Sequence, residues 1–392
     1  MKEYKIGKGW AILMYICSPL FIILFTWLLV LPFLPGVSDE NSFSFFYILG
    51  PLSIGMIVLL ILGLIYTVKG KFVIDTDHIY ILNIFNRRTL LFSEIKGFRI
   101  GDKAIIIESA VKDKKHITIS TYYGESDEIL DWLHTHYDDL DVVNIIAEEK
   151  KILTDHEFGR NAQEREHRLQ QARRSTTLLN SIAIGIPIWG FFWPIPYTIV
   201  IISLIAIPVI SILLLKISGG IIHLQAKSNS AHPTIMYSIL IPGCVLLLRA
   251  LFDYNLIEYT NVCTPAILTT MFTLFVVIIG NKEFAFETAK DFFIIAGIAV
   301  FFFTYSTGVV IILNCYYDQS KAQIFHAKIS KKRMDEGMHT SYYFELLPWE
   351  KQTEAEEVIV SSDVYEQMNE GDIATLYYRK GEFDIPWFEV GK

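Results

Sequence analysis

The residues best able to do chemistry are few and poorly spaced for it. Glu164 and His167 have the ExxH spacing that lets one helix face offer a carboxylate and an imidazole to a di-metal centre. Such a centre needs further inward carboxylates on packed neighbouring helices, and no other segment supplies them. His134 and His136 stand two apart and point to different helix faces, so they do not chelate together. Cys17, Cys244, Cys263 and Cys315 make no CxxC pair and read as small buried apolar residues. Cys263 and Cys315 fall near the same end of two apolar segments, where a disulfide stays geometrically open. A P-loop, GxGxxG after a strand, HExxH, GxSxG and SxxK are all absent. No catalytic residue, cofactor site or metal ligand is assigned, and the expectation is a chain that is not an enzyme.

The composition explains the scarcity. The chain has 392 residues, a formal net charge of −8, 52% hydrophobic residues and 19% charged ones. Seven apolar stretches are long enough to cross a bilayer, at roughly 10–33, 43–67, 177–195, 197–215, 234–251, 263–280 and 292–314. The third and fourth form one apolar run broken by "GFFWPIPY", whose Trp193, Pro194, Pro196 and Tyr197 suit a tight interfacial turn. The first stretch is too long for a signal-peptide core and is expected to be retained. The span interiors hold no Asp, Glu, Lys, Arg or His, with Arg249 at the outer end of the fifth. That argues against ion-coupled transport, proton relay and voltage sensing, which use intramembrane ionisable groups. Gly50-Pro51, Pro187, Pro208 and Pro242-Gly243 read as kinks.

Lys and Arg alternate between the loops. Lys2, Lys5 and Lys8 precede the first span, and "PGVSDENS" after it has none. Residues 68–176 carry 17. Lys216 and Lys227 mark one later loop, Lys282 and Lys290 another, and the turns between them have none. The positive-inside rule makes the N-terminus and residues 68–176 cytoplasmic, and seven spans put the C-terminal domain outside. Lys331, Lys332 and Arg333 pull mildly the other way.

Between the second and third spans the period of the pattern changes. "KFVID", "HIYILNIF", "RTLLFS", "GFRI", "KAIIIES" and "KHITISTY" are short strands separated by turn residues. Ile117 and Ile119 alternate with His116, Thr118 and Ser120. "SDEILDWLHTHY" then reads as an amphipathic helix, with Ser126 as cap and Ile129, Leu133 and Tyr137 on one face beside Leu130. The stretch "FVIDTDHIYILNIFNRRTLLFSEIKGFR" resembles the pleckstrin-homology-like (PH-like) domains of small bacterial membrane proteins, over about 75 residues. That resemblance implies a docking or assembly module. Arg87 and Arg88, in a strand-connecting turn, are candidates for contact with anionic headgroups, worth roughly 1 kcal/mol per basic residue.

Residues 147–176 form a charged connector helix, polar all round, with Glu164 and Arg168 placed as an i,i+4 pair. Arg173 and Arg174 end it as a membrane-surface anchor. After the five-span block 177–318, the strands "QIFHAKISKKRM", "SYYFELLPW", "EEVIVSS", "IATLYYRKG" and "PWFEV" suggest a small antiparallel barrel of the OB or SH3-like kind over 319–392. The loop "DEGMHT" joins the first two. Ser362 is expected to cap a short helix before the fourth strand, and Gly371-Asp372 to end it. "YEQMNEGDIATLYYRKGEFDIPWF" is similar to small β-domains of uncharacterised bacterial membrane proteins. Tyr342, Tyr343, Tyr377, Tyr378 and Trp387 are candidate partner-binding aromatics. From Asp318 onward the chain has 9 basic and 15 acidic residues, which repels nucleic acid.

The expected fold is thus a multi-pass α-helical membrane protein of seven spans. A membrane hairpin (1–67) precedes a PH-like domain (68–146), and a C-terminal barrel closes the chain. The expected role is a scaffold or sensor of the bacterial cytoplasmic membrane, with the bilayer and an unknown protein or a second copy as partners and no cofactor. The alternative is a transporter or permease component for an uncharged or lipidic substrate.

Overall fold

The computed structural model describes residues 1–31, 40–225, 227, 229–284, 286, 288–336 and 340–391. Most of "PGVSDENS" and the middle of "DEGMHT" lie outside them. Among the described residues seven helices are long and apolar enough to cross a membrane. By length and composition this is a multi-pass membrane protein. The chain forms two compact units, Met1–Ala147 with Ser228–Ser230, and Glu148–Lys227 with Ala231–Lys392.

In the first unit, α1 (Lys8–Val30) packs against α2 (Glu40–Lys69). Most apolar side chains of α1 stay exposed, as a lipid-facing helix requires. Seven strands form two antiparallel sheets. β1 (Lys2–Lys5), β2 (Lys71–Ile74), β3 (His78–Leu82) and β4 (Arg87–Leu91) make one, in that order. β5 (Ile95–Gly101), β6 (Ala104–Ser109) and β7 (Ile117–Ser120) make the other. Alternating side chains from both, including Phe72, Ile79, Ile81, Leu90, Phe98, Ile105, Ile107, Ile117 and Ile119, meet in one buried core. The helix α3 (Ser126–His136) adds Ile129 and Leu133 to it.

Two features of this unit depart from the sequence reading. The tail before α1, expected only as the start of the membrane hairpin, forms a strand of the β-domain: β1 pairs along β2, from Lys2↔Ile74 to Lys5↔Lys71, and Tyr4 enters the core at 3% exposure. Ser126 does not cap α3, because Glu125 occupies the cap position in the left-handed region and makes no side-chain cap bond.

In the second unit the connector is two helices rather than one. α4 (Leu140–Thr154) enters it, and a turn at His156–Phe158 leads to α5 (Ala162–Phe192). Arg165, on the supposedly all-polar surface, is buried. Its guanidinium donates to the Leu153 and Gly159 carbonyls at 2.6 and 2.9 Å, closing the end of α4. The expected Glu164–Arg168 pair forms at 2.9 Å. α5 continues into the bundle of α6 (Tyr197–Ile217), α7 (Met236–Asp253), α8 (Thr260–Ile278) and α9 (Ala289–Tyr316). Polar side chains join the helices inside. Ser211 donates to Ser238 at 2.8 Å, and Tyr305 to the Ile205 carbonyl at 2.9 Å. Asn180 donates to the Thr234 carbonyl and accepts from Ser238 N, at 2.8 and 3.1 Å. Gly308 lets α9 approach the α7 backbone: a Cβ there would lie 2.6 Å from Leu247 N. Cys263 is exposed and Cys315 buried, and both are free thiols.

The barrel follows α9. β9 (Gln323–Glu336) is long enough to pair with β12 (Ile373–Arg379) along its first half and β10 (Thr340–Leu346) along its second. β11 (Glu356–Val360), β13 (Trp387–Gly391) and the two-residue β8 (Asn255–Leu256) complete the order β11-β10-β9-β12-β13-β8. The helix α10 (Ser362–Gln367) is capped by Ser361, one residue before the expected Ser362. Since β8 comes from the α7–α8 loop, the barrel sits at the end of the bundle opposite the connector.

Candidate functional site

The first candidate surface lies where the four-stranded sheet meets α1 and α2. Lys5, Lys71, Leu82 and Arg87 are successive cross-strand partners, so they form one row across the sheet. The chain enters α1 three residues after Lys5 and leaves α2 two residues before Lys71. The β3–β4 turn, closed by Asn83 N donating to the Asn86 carbonyl at 2.9 Å, is at the same end. Its tip is Phe85, 81% exposed. Arg87 holds its guanidinium 3.8 Å from the Tyr80 ring centroid, a cation–π contact that stiffens it at the surface. Arg88 turns the other way and donates to the His116 carbonyl at 3.1 Å, so the two arginines do not act as a pair. Glu3 bridges Lys71 and Lys5 at 2.9 and 3.2 Å, and those hydrogen bonds hold its carboxyl below the usual range. Tyr123 and Tyr66 hydroxyls lie 3.2 Å apart, and Trp10 packs 4.5 Å from Tyr122, tying the sheets to α2 and α1.

Arg173 and Arg174 lie far along the chain from that surface and differ from each other. Arg173 pairs with Glu149 at 3.1 Å, whereas Arg174 is exposed with no ion pair among the described residues.

The five aromatics expected on the barrel do not share one face. Tyr342 and Tyr343 are neighbours on β10, so the pleat sends them to opposite sides. Tyr342 packs on Tyr365 at 4.8 Å, and Tyr343 lies under Arg333 at 4.4 Å. Tyr377 and Tyr378 split in the same way on β12. Tyr377 covers Gly391, and Tyr378 meets Phe325 edge-on at 5.8 Å. Trp387 presents no binding face. It is 4% exposed, its indole N–H donates to Asp318 at 2.8 Å, and its ring meets Tyr254 edge-on at 5.6 Å. The donors from Ser320, Trp387 and Gly381 outweigh the cost of burial and hold the Asp318 carboxyl below its ordinary range.

Sequence reasoning missed the groups that hold the barrel to the helices. Asn314 is fully buried. Its amide donates to the Ile385 carbonyl and accepts from Phe383 N, both at 2.9 Å. Gly381, with φ of 81°, is required there, since a Cβ would lie 2.5 Å from the Asn314 amide. Asn255 plays the same part at the open seam, donating to the Ile359 carbonyl at 3.0 Å and accepting from Ile359 N at 3.2 Å. Nearby, Arg249 and Asp253 pair at 2.6 Å, and Tyr197 donates to Asp253 at 3.0 Å. The RxxxD spacing was the available signal for that pair.

At the opposite end of the bundle the 218–235 loop folds on itself. His223 and His232 stack face to face, with ring centroids 3.8 Å apart. Glu283 accepts from Leu224 N and Gln225 N at 2.7 and 2.9 Å. An apolar crevice of about 230 Å³ opens beside this loop between α7 and α9, lined by Met236, Ile239, Phe293, Gly297 and Phe301. Among the described residues no three His, Cys, Asp or Glu side chains group to hold a metal ion. No protein-family model, curated protein or solved structure matches this chain.

Proposed function

We propose that this chain is a membrane scaffold or sensor of the bacterial cytoplasmic membrane that performs no catalysis. Its N-terminal β-domain is PH-like and docks on the anionic headgroup surface around its own spans. Its barrel binds a partner on the other side. The Lys and Arg distribution supports a cytoplasmic first domain and, five spans beyond the connector, an extracytoplasmic barrel. Four-plus-three antiparallel strands closed by one helix support the PH-like reading.

One observation carries the docking proposal: an exposed aromatic and a basic row share the end of the sheet from which two membrane helices leave. Phe85 extends from that end, and Lys5, Lys71 and Arg87 cross it, with Lys8 and Lys69 on the helices themselves. An aromatic ring suits the headgroup layer, and basic residues beside it gain from anionic lipid. The test is a polarity-sensitive dye on Phe85→Cys, with the full chain reconstituted in phosphatidylglycerol vesicles. A blue-shifted dye quenched by lipid-borne quenchers, and released by Arg87→Glu, is the expected result. A dye that stays in water in both proteins ends the docking reading.

The crevice between α7 and α9 favours a second reading, in which an uncharged or lipidic molecule is bound or moved. Its lining is apolar, and Gly297 leaves open space at the wall. Movement of a lipid analogue across vesicles holding only the purified chain would replace the scaffold proposal with this one.

A further inference from the structure

We infer that the barrel carries a binding site for a phosphate-class anion, formed by Lys321, Lys351 and Lys380 around Tyr378. Three separate segments bring these lysines to one cavity of about 250 Å³, which Gln323 also lines. Lys321 follows α9, in a segment tied along the end of β12. There Arg379 donates to the Ser320 carbonyl at 3.0 Å, and Lys380 N donates to the Ser320 hydroxyl at 3.2 Å. That stitching sets Lys321 beside Lys380. Gln323 is the cross-strand partner of Tyr378, which puts its amide on the same wall. Lys351 arrives from the β10–β11 loop, held by the reciprocal Trp349–Gln352 backbone bonds at 2.9 Å. Its ammonium stands 5.7 Å from both the Phe325 and Tyr378 ring centroids.

Charge makes the arrangement unusual. The barrel is acidic overall, yet three lysines line one opening. A single carboxylate answers them: Asp384, paired with Lys380 at 2.5 Å, both side chains being more than 70% exposed. Such an exposed pair is weak and is readily exchanged for a bound anion. Lys321 and Lys351 have no ion pair among the described residues. Three like charges gathered beside a single exposed counter-charge repel each other, and a multivalent oxyanion removes that repulsion. Ammonium groups approach such an anion as point charges, and the Tyr378 hydroxyl and Gln323 amide can add hydrogen bonds. The aromatic rings of Phe325 and Tyr378 supply an apolar floor for whatever carries the phosphate.

Two sources offer this chemistry: a phospholipid headgroup in the adjacent leaflet, or a soluble phosphorylated molecule. The cavity begins five residues past the end of α9, where Tyr316 and Tyr317 are exposed as an interfacial belt would be. The site stands apart from the docking reading of the N-terminal domain, and either can fail alone.

The test is lysine acylation footprinting of the full chain in nanodiscs, read by mass spectrometry. Inorganic phosphate is titrated into phosphatidylcholine discs in one arm, and discs containing phosphatidylglycerol are used in the other. Labelling of Lys321, Lys351 and Lys380 should slow about tenfold once phosphate reaches roughly ten times its dissociation constant, while Lys328 and Lys331 keep their rates. Protection in the first arm assigns a soluble ligand, and protection confined to the second assigns a lipid headgroup. Lys351→Gln should relieve protection at the other two lysines, as expected if they share one anion. Three lysines that label like Lys328 in both arms overturn the proposal.

Discussion

The two β-domains solve one problem with different means. Each is completed by a strand taken from a segment that flanks a membrane helix: β1 lies just before α1, and β8 lies between α7 and α8. In the N-terminal domain the borrowed strand is four residues long, with a regular backbone ladder and Tyr4 driven into the core. In the barrel it is two residues long, and a side-chain amide stands in for the missing ladder. Asn255 gives and takes the two hydrogen bonds that a longer strand would have exchanged with Ile359. The first join rests on apolar burial and the second on polar satisfaction. They should therefore break by different amounts and respond to different conditions.

The largest effect is expected at Tyr4. Tyr4→Ala removes a buried aromatic ring and should cost about 3 kcal/mol of the N-terminal domain's stability. Hydrogen exchange at the β2 amides should quicken by the matching factor while β12 amides stay protected. A uniform loss in both domains would show that the joins are not separate.

Neither join was legible in the sequence, for a physical reason. "KEYK" shows one apolar residue among three charges, and "NL" is too short to show a period of two. The six strands of residues 71–120 and the five of the tail were legible because their alternation is what fills each core. Trp387 marks the limit of that reasoning. "PWFEV" alternates as a strand should, with Phe388 turned into the barrel. Trp387 faces outward, but onto Tyr254 and Asp318 at the helix ends, a cover that no local pattern reveals. The candidate aromatics were read as strand residues, as they are in β10, β12 and β13, whereas Arg87 and Arg88, read as part of a turn, open β4, and Arg173 and Arg174 lie in α5. Their dispersal over different faces depends on register and neighbours. The lysines around Tyr378 escaped because three segments far apart in sequence supply them.

Breaking the barrel seam should cost less. Asn255→Ala leaves the Ile359 N–H and carbonyl without their partner at a partly buried edge, an expected loss of about 2 kcal/mol. Faster exchange confined to β11 and β13 would be its signature. Restoring the bonds is sterically demanding, so Asn255→Gln should recover little. Asn255→Asp keeps the acceptor and loses the donor, and should fall between. Equal stability of all three variants would remove Asn255 from the seam.

The smallest effect, and the sharpest contrast with that neutral amide, is expected in the 218–235 loop, which is closed by a histidine stack. Burial first, then the adjacent His232 and Lys227, depress His223 to about 4, with Glu148 and the Gly220 backbone acting against them. The free imidazole takes up its proton near pH 6.5. A group depressed in the fold lends stability that is complete above its free value and is lost as pH falls toward the folded one. The loop should therefore loosen between about pH 6.5 and 4, whereas the Asn255 amide itself carries no titrating proton. Exchange at Ile235 N, which donates to the His223 carbonyl at 3.2 Å, reads this locally once corrected for intrinsic rates. Protection should decline across the window in the native chain and stay level in His223→Gln. Parallel decline in both would assign the acid response to other groups and leave the stack as packing alone.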